Sequence, residues 1–305
     1  MSRKAFVTLL TAPGYLPGVL VLHDSLLSVG SQYPLVVMAT PSLSPEARAV
    51  VAKRGIAIRD IDHLYPAEGK HVLADHDARF RDTWTKLKAF ELVEYERVVM
   101  LDADMIVRRN MDHLLEMELA KDWIAAAHVC ACNPRRLSHY PEDWKPENCA
   151  HTAVQHPTAD PPPVTATSPR PYTQLNGGLV VLHPDTQVMQ QITDYIWTSP
   201  RIPTYSFPDQ DLLTDFFQGR WKPLSWRYNA LKTLRNIHPQ LWRDDEVHCL
   251  HYILHDKPWK QPRGTGGDYE EVNGWWWERY EAIGREMEVS DPEGWKLVDA
   301  HVAHG

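Results

Sequence analysis

Short apolar runs alternate with amphipathic stretches along the first hundred residues. AFVTLLT, residues 5–11, is a β-rich run that ends in the turn signal APGY. GVLVLHDSLLSVG, residues 18–30, repeats its apolar positions at helical spacing and stops at Gly30. PLVVMAT, residues 34–40, predicts a second buried strand. SPEARAVVAKRG, residues 44–55, opens with polar residues suited to a helix N-terminus and closes at Gly55. IAIRDID, residues 56–62, follows as a third strand. Strand, helix, strand, helix, strand predicts a parallel sheet with crossover helices.

TWTKLKAFELVEYE, residues 83–96, predicts a helix that turns Leu87, Phe90, Leu92 and Val93 inward and leads into the strand VVML, residues 98–101. NMDHLLEM, residues 110–117, predicts a short helix. Residues 152–171 are rich in Pro, Thr and Ala, and read as a mobile insertion or surface loop. YTQLNGGLVVLHP, residues 172–184, restores order as a strand entered through Asn176, Gly177 and Gly178. SFPDQDLLTDFFQG, residues 206–219, is a compact helical segment led by acids and an amide. GWWWERY, residues 274–280, reads as a helix packing an aromatic face on the body of the protein, with a sugar-stacking platform as the minor alternative.

The apolar run through residues 98–107 (VVMLDADMIV) is interrupted by two acids, Asp102 and Asp104, around Ala103. Two carboxylates in so apolar a setting need a counter-charge, because each raises the pKa of the other. They fall at the carboxyl end of a predicted strand, where open α/β sheets bind ligands. One acid as a turn cap is the ordinary reading of Asp-x-Asp. A catalytic acid–base pair is disfavoured by close i, i+2 spacing. A divalent cation answers the charge problem, and carboxylate oxygens suit Mg²⁺ or Mn²⁺. His251 is a candidate third ligand, and Lys257 suits a phosphate as a point charge.

Composition narrows the partners. The 305 residues carry 32 Lys and Arg against 40 Asp and Glu, a net charge of -8, and no long basic run. Nucleic-acid binding is therefore not expected. No stretch is apolar for long enough to span a bilayer, the N-terminal run reads as a strand and not a leader, and a cytoplasmic protein is the default. Cys130, Cys132 and Cys149 lie close together in sequence, with His128 and His151 nearby, and the fourth cysteine is Cys249. Zinc is chemically compatible with such residues, but the spacing matches no recognised zinc module and free thiols are the default.

Five segments in order, FVTLLTAPGYLPGVLVLHDSL, TWTKLKAFELVEYERVVMLDADMIV, LNGGLVVLHP, FPDQDLL and HYILHDKPW, resemble glycosyltransferase family 8. The span 33–66, the cysteine-rich patch, RWKPLSWRYNALKTLRNIHP and WWWERY resemble its galactinol synthase branch more than glycogenin. The resemblance implies an α/β chain with the A-type glycosyltransferase fold, a Rossmann-like nucleotide-binding half and a mixed central sheet. It implies one domain over 1–305: a nucleotide half to about 105, a donor-sugar and acceptor half over 106–260, and a C-terminal aromatic helical segment over 261–305. It also implies retaining, Mn²⁺-dependent transfer of galactose or glucose from a UDP-sugar, with Mg²⁺ as the other candidate metal, to a small polyol or saccharide. Pairing into a homodimer would fit the family.

Carried over by position, Asp102, Asp104 and His251 would hold the metal, with Ala103 between the acids at the donor. Thr11 and Tyr15 would line the uracil and ribose pocket. Lys257 would hold the diphosphate, and Lys86 would reach the donor's sugar or phosphate, with Arg79 as an assistant. Asn176, Gly177, Asp209 and Gln210 would surround the sugar ring, Gln210 nearest the reacting carbon. Asp209, Gln210 and Lys86 are then the catalytic candidates. Ala12 departs from the polar residue of glycogenin, and YNALKTLRNIHP offers no convincing self-glucosylated tyrosine. A glucosyltransferase acting on a glucan or protein is the alternative, and a non-catalytic sugar-nucleotide-binding protein a weaker one.

Overall fold

The structure, a computed structural model, describes residues 3–71, 75–137 and 140–305, with the side chains of 75–81 outside the description. Its centre is a seven-stranded mixed sheet in the strand order Ala57–Asp60, Leu35–Ala39, Lys4–Leu10, Arg97–Leu101, Leu175–Leu182, Ile124–His128, Trp221–Leu224. The elements come in the order β1 (Lys4–Leu10), α1 (Leu16–Ser28), β2 (Leu35–Ala39), α2 (Pro45–Lys53) and β3 (Ala57–Asp60). β1 pairs in parallel with β2, and β2 with β3, so the predicted crossover pattern holds. Ser44 caps α2 by accepting the Ala47 N–H.

The chain then winds through 3-10 turns from Asp75 to Glu91 and enters β4 (Arg97–Leu101), which lies parallel to β1. The helix predicted over 83–96 is therefore wound more tightly and stops at Glu91. Its apolar set divides: Leu87, Phe90 and Leu92 are buried, while Val93 is exposed. β5 (Met105–Val107), α3 (His113–Glu116) and β6 (Ile124–His128) follow. β7 (Leu175–Leu182) runs antiparallel to both β4 and β6. It begins at Leu175, so Asn176, Gly177 and Gly178 belong to the strand and do not precede it.

α4 (Thr186–Thr198), α5 (Pro208–Phe216), β8 (Trp221–Leu224), β9 (Ala230–Leu231), α6 (Leu234–Ile237), β10 (Cys249–His251), α7 (Glu270–Ser290) and α8 (Pro292–Asp299) complete the order. β5, β10 and β9 form a second, three-stranded sheet.

The inner strands of the large sheet are buried on both faces, and alternate residues along them feed two cores. Phe6, Leu10, Val99, Leu101, Leu179 and Val181 join one core with α1 and α7. Ala5, Val7, Val98, Met100, Val180 and Leu182 join the other with α4 and α5. Trp276, Trp277 and Tyr280 are buried on α7 against the body, as the packing reading of the tryptophan run expected. Residues 152–171 do lack strands and long helices, but they are anchored: the Trp226 indole donates to Pro157 O at 2.9 Å, and Pro162 O meets His128 Nε2 at 3.1 Å. Among the described residues no helix is long and apolar enough to cross a membrane.

Candidate active site

β4 ends at Leu101, and the next residues run over the carboxyl edge of the sheet before β5 begins at Met105. The Asp102 N–H donates to Gly178 O at 2.9 Å, tying the turn to β7. β10 pairs antiparallel with β5, and its register sets His251 opposite Met105. The Tyr252 N–H donates to Asp104 O at 2.9 Å and continues that pairing. Residues some 150 positions apart are thereby placed at one point by ordinary strand pairing.

His251 Nε2 lies 3.2 Å from Asp104 Oδ1 and 3.6 Å from Asp102 Oδ2. One donor atom from each residue lies within 4.8 Å of the others. Asn229 Oδ1 sits 2.9 Å from His251 Nδ1, and a carbonyl oxygen only accepts, so Nδ1 carries the proton. That leaves Nε2 as the ring nitrogen that faces the two carboxylates. Two carboxylate oxygens and an imidazole nitrogen converging in this way can hold a cation between them.

Two lysines supply part of the counter-charge. Lys86 Nζ lies 2.8 Å from Asp102 Oδ1 and 2.6 Å from Asp209 Oδ2. Lys257 Nζ bonds Asp104 Oδ2 and donates to Tyr252 O at 2.7 Å. Three carboxylates against two ammonium groups leave one net negative charge in this cluster, a balance that favours a divalent cation. Burial pushes the Asp104 carboxyl upward, but Lys257 and His251 outweigh it and hold that acid well below its usual range. For Asp102 burial wins: its carboxyl is raised despite Lys86, and Asp104 adds to the rise. Burial alone would lower Lys86, but Asp102 and Asp209 together raise it, so its ammonium stays charged.

A cavity of about 420 Å³ opens over this cluster. Thr11, Tyr15, Lys86, Asp102, Ala103 and Asp104 line it from the segments that precede β5, and Asn176, Gly177, Asp209, Gln210, His251 and Lys257 from later segments. Arg79 lies outside the described side chains. Thr11 Oγ1 donates to Asp82 Oδ2 at 2.9 Å, and the Tyr15 ring meets Trp259 edge-on at 5.7 Å between centroids. Gln210 Oε1 accepts the Gly177 N–H at 3.4 Å. Asn176 Oδ1 accepts from Gly178 N at 3.0 Å and Asn229 Nδ2 at 2.7 Å, so that atom serves the framework. Asp209 does not cap α5; Asp211 takes the Ser206 and Phe207 N–H groups instead.

Sequence reading missed Asn229, Gly18 and the far wall. Asn229 gives no local signal inside WRYNALK, because its partner His251 is 22 residues away. A Cβ on Gly18 would stand 2.3 Å from Ala103 O, so only glycine lets α1 approach the acid turn. The far wall includes Arg135, Tyr140, Trp144 and Phe207, from segments with little regular structure.

A mixed α/β sheet with an Asp-x-Asp turn, a facing histidine and two lysines at its carboxyl edge defines a glycosyltransferase of the A-type fold. The family model described as "Glycosyl transferase family 8" matches residues 6–262, and the chain belongs to that family of enzymes. It is 31% identical over 265 residues to galactinol synthase 1 of Solanum lycopersicum, covering 85% of this chain and 74% of the relative. To galactinol synthase 1 of Arabidopsis thaliana it is 29% identical over 288 residues, covering 92% and 79%. The crystal structure of the galactosyltransferase LgtC, in complex with donor and acceptor sugar analogues, superposes with a TM-score of 0.59. That match has 18% identity and covers 88% of this chain and 95% of LgtC, which supports the fold. Family membership brings a UDP-sugar donor and, as a rule, a divalent metal.

Proposed function

We propose that this enzyme is a retaining hexosyltransferase that uses Mn²⁺ to move galactose or glucose from its UDP-sugar to a small polyol, as the galactinol synthases' name implies for those relatives. The observation that carries the reading is the convergence of Asp102, Asp104 and His251 beneath one cavity that also holds Lys86 and Lys257. Two carboxylate oxygens and one oriented imidazole nitrogen suit Mn²⁺, with positions left for donor oxygens. When bound, the cation would supply Lewis-acid stabilisation of the charge that develops on the departing diphosphate.

The remaining work falls to the chain's own groups. Lys257 would receive the diphosphate as a point charge, and Thr11 and Tyr15 would bound the base and ribose. Asp209, oriented by Lys86 at 2.6 Å, would accept from sugar hydroxyls. Gln210 would stand near the reacting carbon and favour its positive charge through its amide oxygen.

Because Asp209 Oδ2 is committed to Lys86, it is a poor nucleophile. That favours attack by the acceptor hydroxyl from the face the phosphate leaves, with the phosphate taking the acceptor's proton. The bond to phosphate breaks as the new glycosidic bond forms, and configuration is retained.

A matrix of UDP-galactose and UDP-glucose against myo-inositol, water and short glucans, read by UDP release with Mn²⁺, tests the proposal. Metal-dependent release that requires the polyol is expected. Release only with glucans, or none with any acceptor, overturns it.

A further inference from the structure

We infer that Cys130, Cys132, Cys149 and His238 form a structural zinc site that fastens one wall of the cavity. His238 Nε2 lies 3.3 Å from Cys132 Sγ, 3.7 Å from Cys130 Sγ and 3.8 Å from Cys149 Sγ. All four donor atoms lie within 4.8 Å of one another. Zinc bonds of about 2.3 Å to sulfur and 2.0–2.1 Å to nitrogen give a tetrahedron with edges of about 3.5–3.8 Å. The three observed edges bracket that range, so an ion fits at the centre with small side-chain shifts.

The donor set is also chemically specific. Three thiols and an imidazole are a recurrent zinc set, and soft sulfur disfavours Mg²⁺ or Mn²⁺ here. Cys132, Cys149 and His238 are buried, and Cys130 is half-buried. His128 and His151, the nearer candidates in sequence, are directed elsewhere. His128 Nε2 faces Pro162 O, and His151 Nε2 faces His128 O, each at 3.1 Å. His238 completes the set from the end of α6, which is why Cys-x-Cys spacing did not reveal it.

Four protein ligands close the coordination sphere, so the role is structural and not catalytic. Among the described residues between β6 and β7 only short 3-10 turns occur, and the apolar cluster around Trp144 is small. A cross-link between that segment and α6 supplies what the cluster lacks. Cys130, Asn133, Tyr140 and Trp144 line the cavity from this segment, and Ile237 lines it from α6. The ion would thus hold two lining segments in register.

The test uses full-length protein made in zinc-supplemented medium and purified without chelator. Elemental analysis is expected to find about one zinc per chain, retained in Asp102→Asn and lost in Cys132→Ser. X-ray absorption at the zinc edge of the unaltered protein needs no variant to fold. It is expected to show three sulfur neighbours at about 2.3 Å and one nitrogen at about 2.0–2.1 Å. Absence of bound zinc, a shell of only nitrogen and oxygen, or a disulfide among the three cysteines in the peptide map overturns the assignment.

Discussion

Lys86 Nζ stands 2.6 Å from Asp209 Oδ2, and that bond ties the 3-10 segment before β4 to the first turn of α5. The same ammonium reaches Asp102 at 2.8 Å, so one buried cation serves both the acid turn and the proposed sugar side of the cavity. Lys86→Met should leave both acids without this partner. A loss of about 3–5 kcal/mol is expected, as for other buried pairs broken on one side. Adding Asp209→Asn should recover part of it. Urea unfolding of the single and double variants measures both, and strictly additive losses would contradict the coupling.

Asp102→Asn should abolish metal-dependent transfer while the fold persists, since the acid lies on a turn at the sheet edge and keeps its shape as an amide. UDP release is expected to fall on the order of 10²-fold or more, the scale of removing a group that stabilises transition-state charge. Ordinary turnover at the usual Mn²⁺ concentration, with an unchanged melting curve, would sink the metal assignment.

Asn229→Ala is expected to act through His251, which it holds by Nδ1 at 2.9 Å. Outer partners of metal-binding histidines are worth roughly 10–100-fold in metal affinity or activity. The Mn²⁺ concentration for half-maximal UDP release should therefore rise by about that factor. Recovery of maximal turnover at saturating metal would mark Asn229 as a positioning residue. A loss that no amount of metal restores would assign it a different role.

Much of this was legible in sequence because the relevant signals are local. β1, α1, β2, α2 and β3 each announce themselves by periodicity and stop residues, and Asp102 and Asp104 stand out against an apolar run. Long-range partnerships were not legible from periodicity. Lys86 meeting Asp209, Asn229 holding His251, and His238 joining three cysteines each depend on strands or segments brought together by the fold. The 3-10 winding of Asp75–Glu91 was missed for a related reason: its apolar spacing suits a helix, but burial of Trp84, Leu87 and Phe90 is decided by the sheet and α4.

Gly178→Ala tests that dependence at a single atom. A Cβ there would lie 2.4 Å from His251 Cε1 and 2.5 Å from Nδ1, closer than such contacts occur. The ring must shift, and its shift breaks the bond to Asn229 or turns Nε2 away from the acids. Metal affinity is expected to fall on the order of 10-fold or more. Calorimetric Mn²⁺ titration checks this, and unchanged affinity would mean that the strand relaxes without disturbing His251.

Asp211 adds a prediction about pH. It accepts the Ser206 and Phe207 N–H groups at 2.9 and 2.8 Å, and no ion pair to it exists among the described residues. Burial pushes its carboxyl up to about 6, against the opposing pull of those two backbone donors. Between about pH 4 and 6 the folded chain therefore holds a proton that the unfolded chain has released. The stability this gives is full below pH 4 and is lost as pH rises through 6. Asp211→Asn keeps an acceptor for the backbone without ionising. The variant should match the parent near pH 4 and exceed it by about 1–3 kcal/mol at pH 7. Urea unfolding across that range would show the gap widening with pH, whereas a constant gap would mean that Asp211 is ionised throughout.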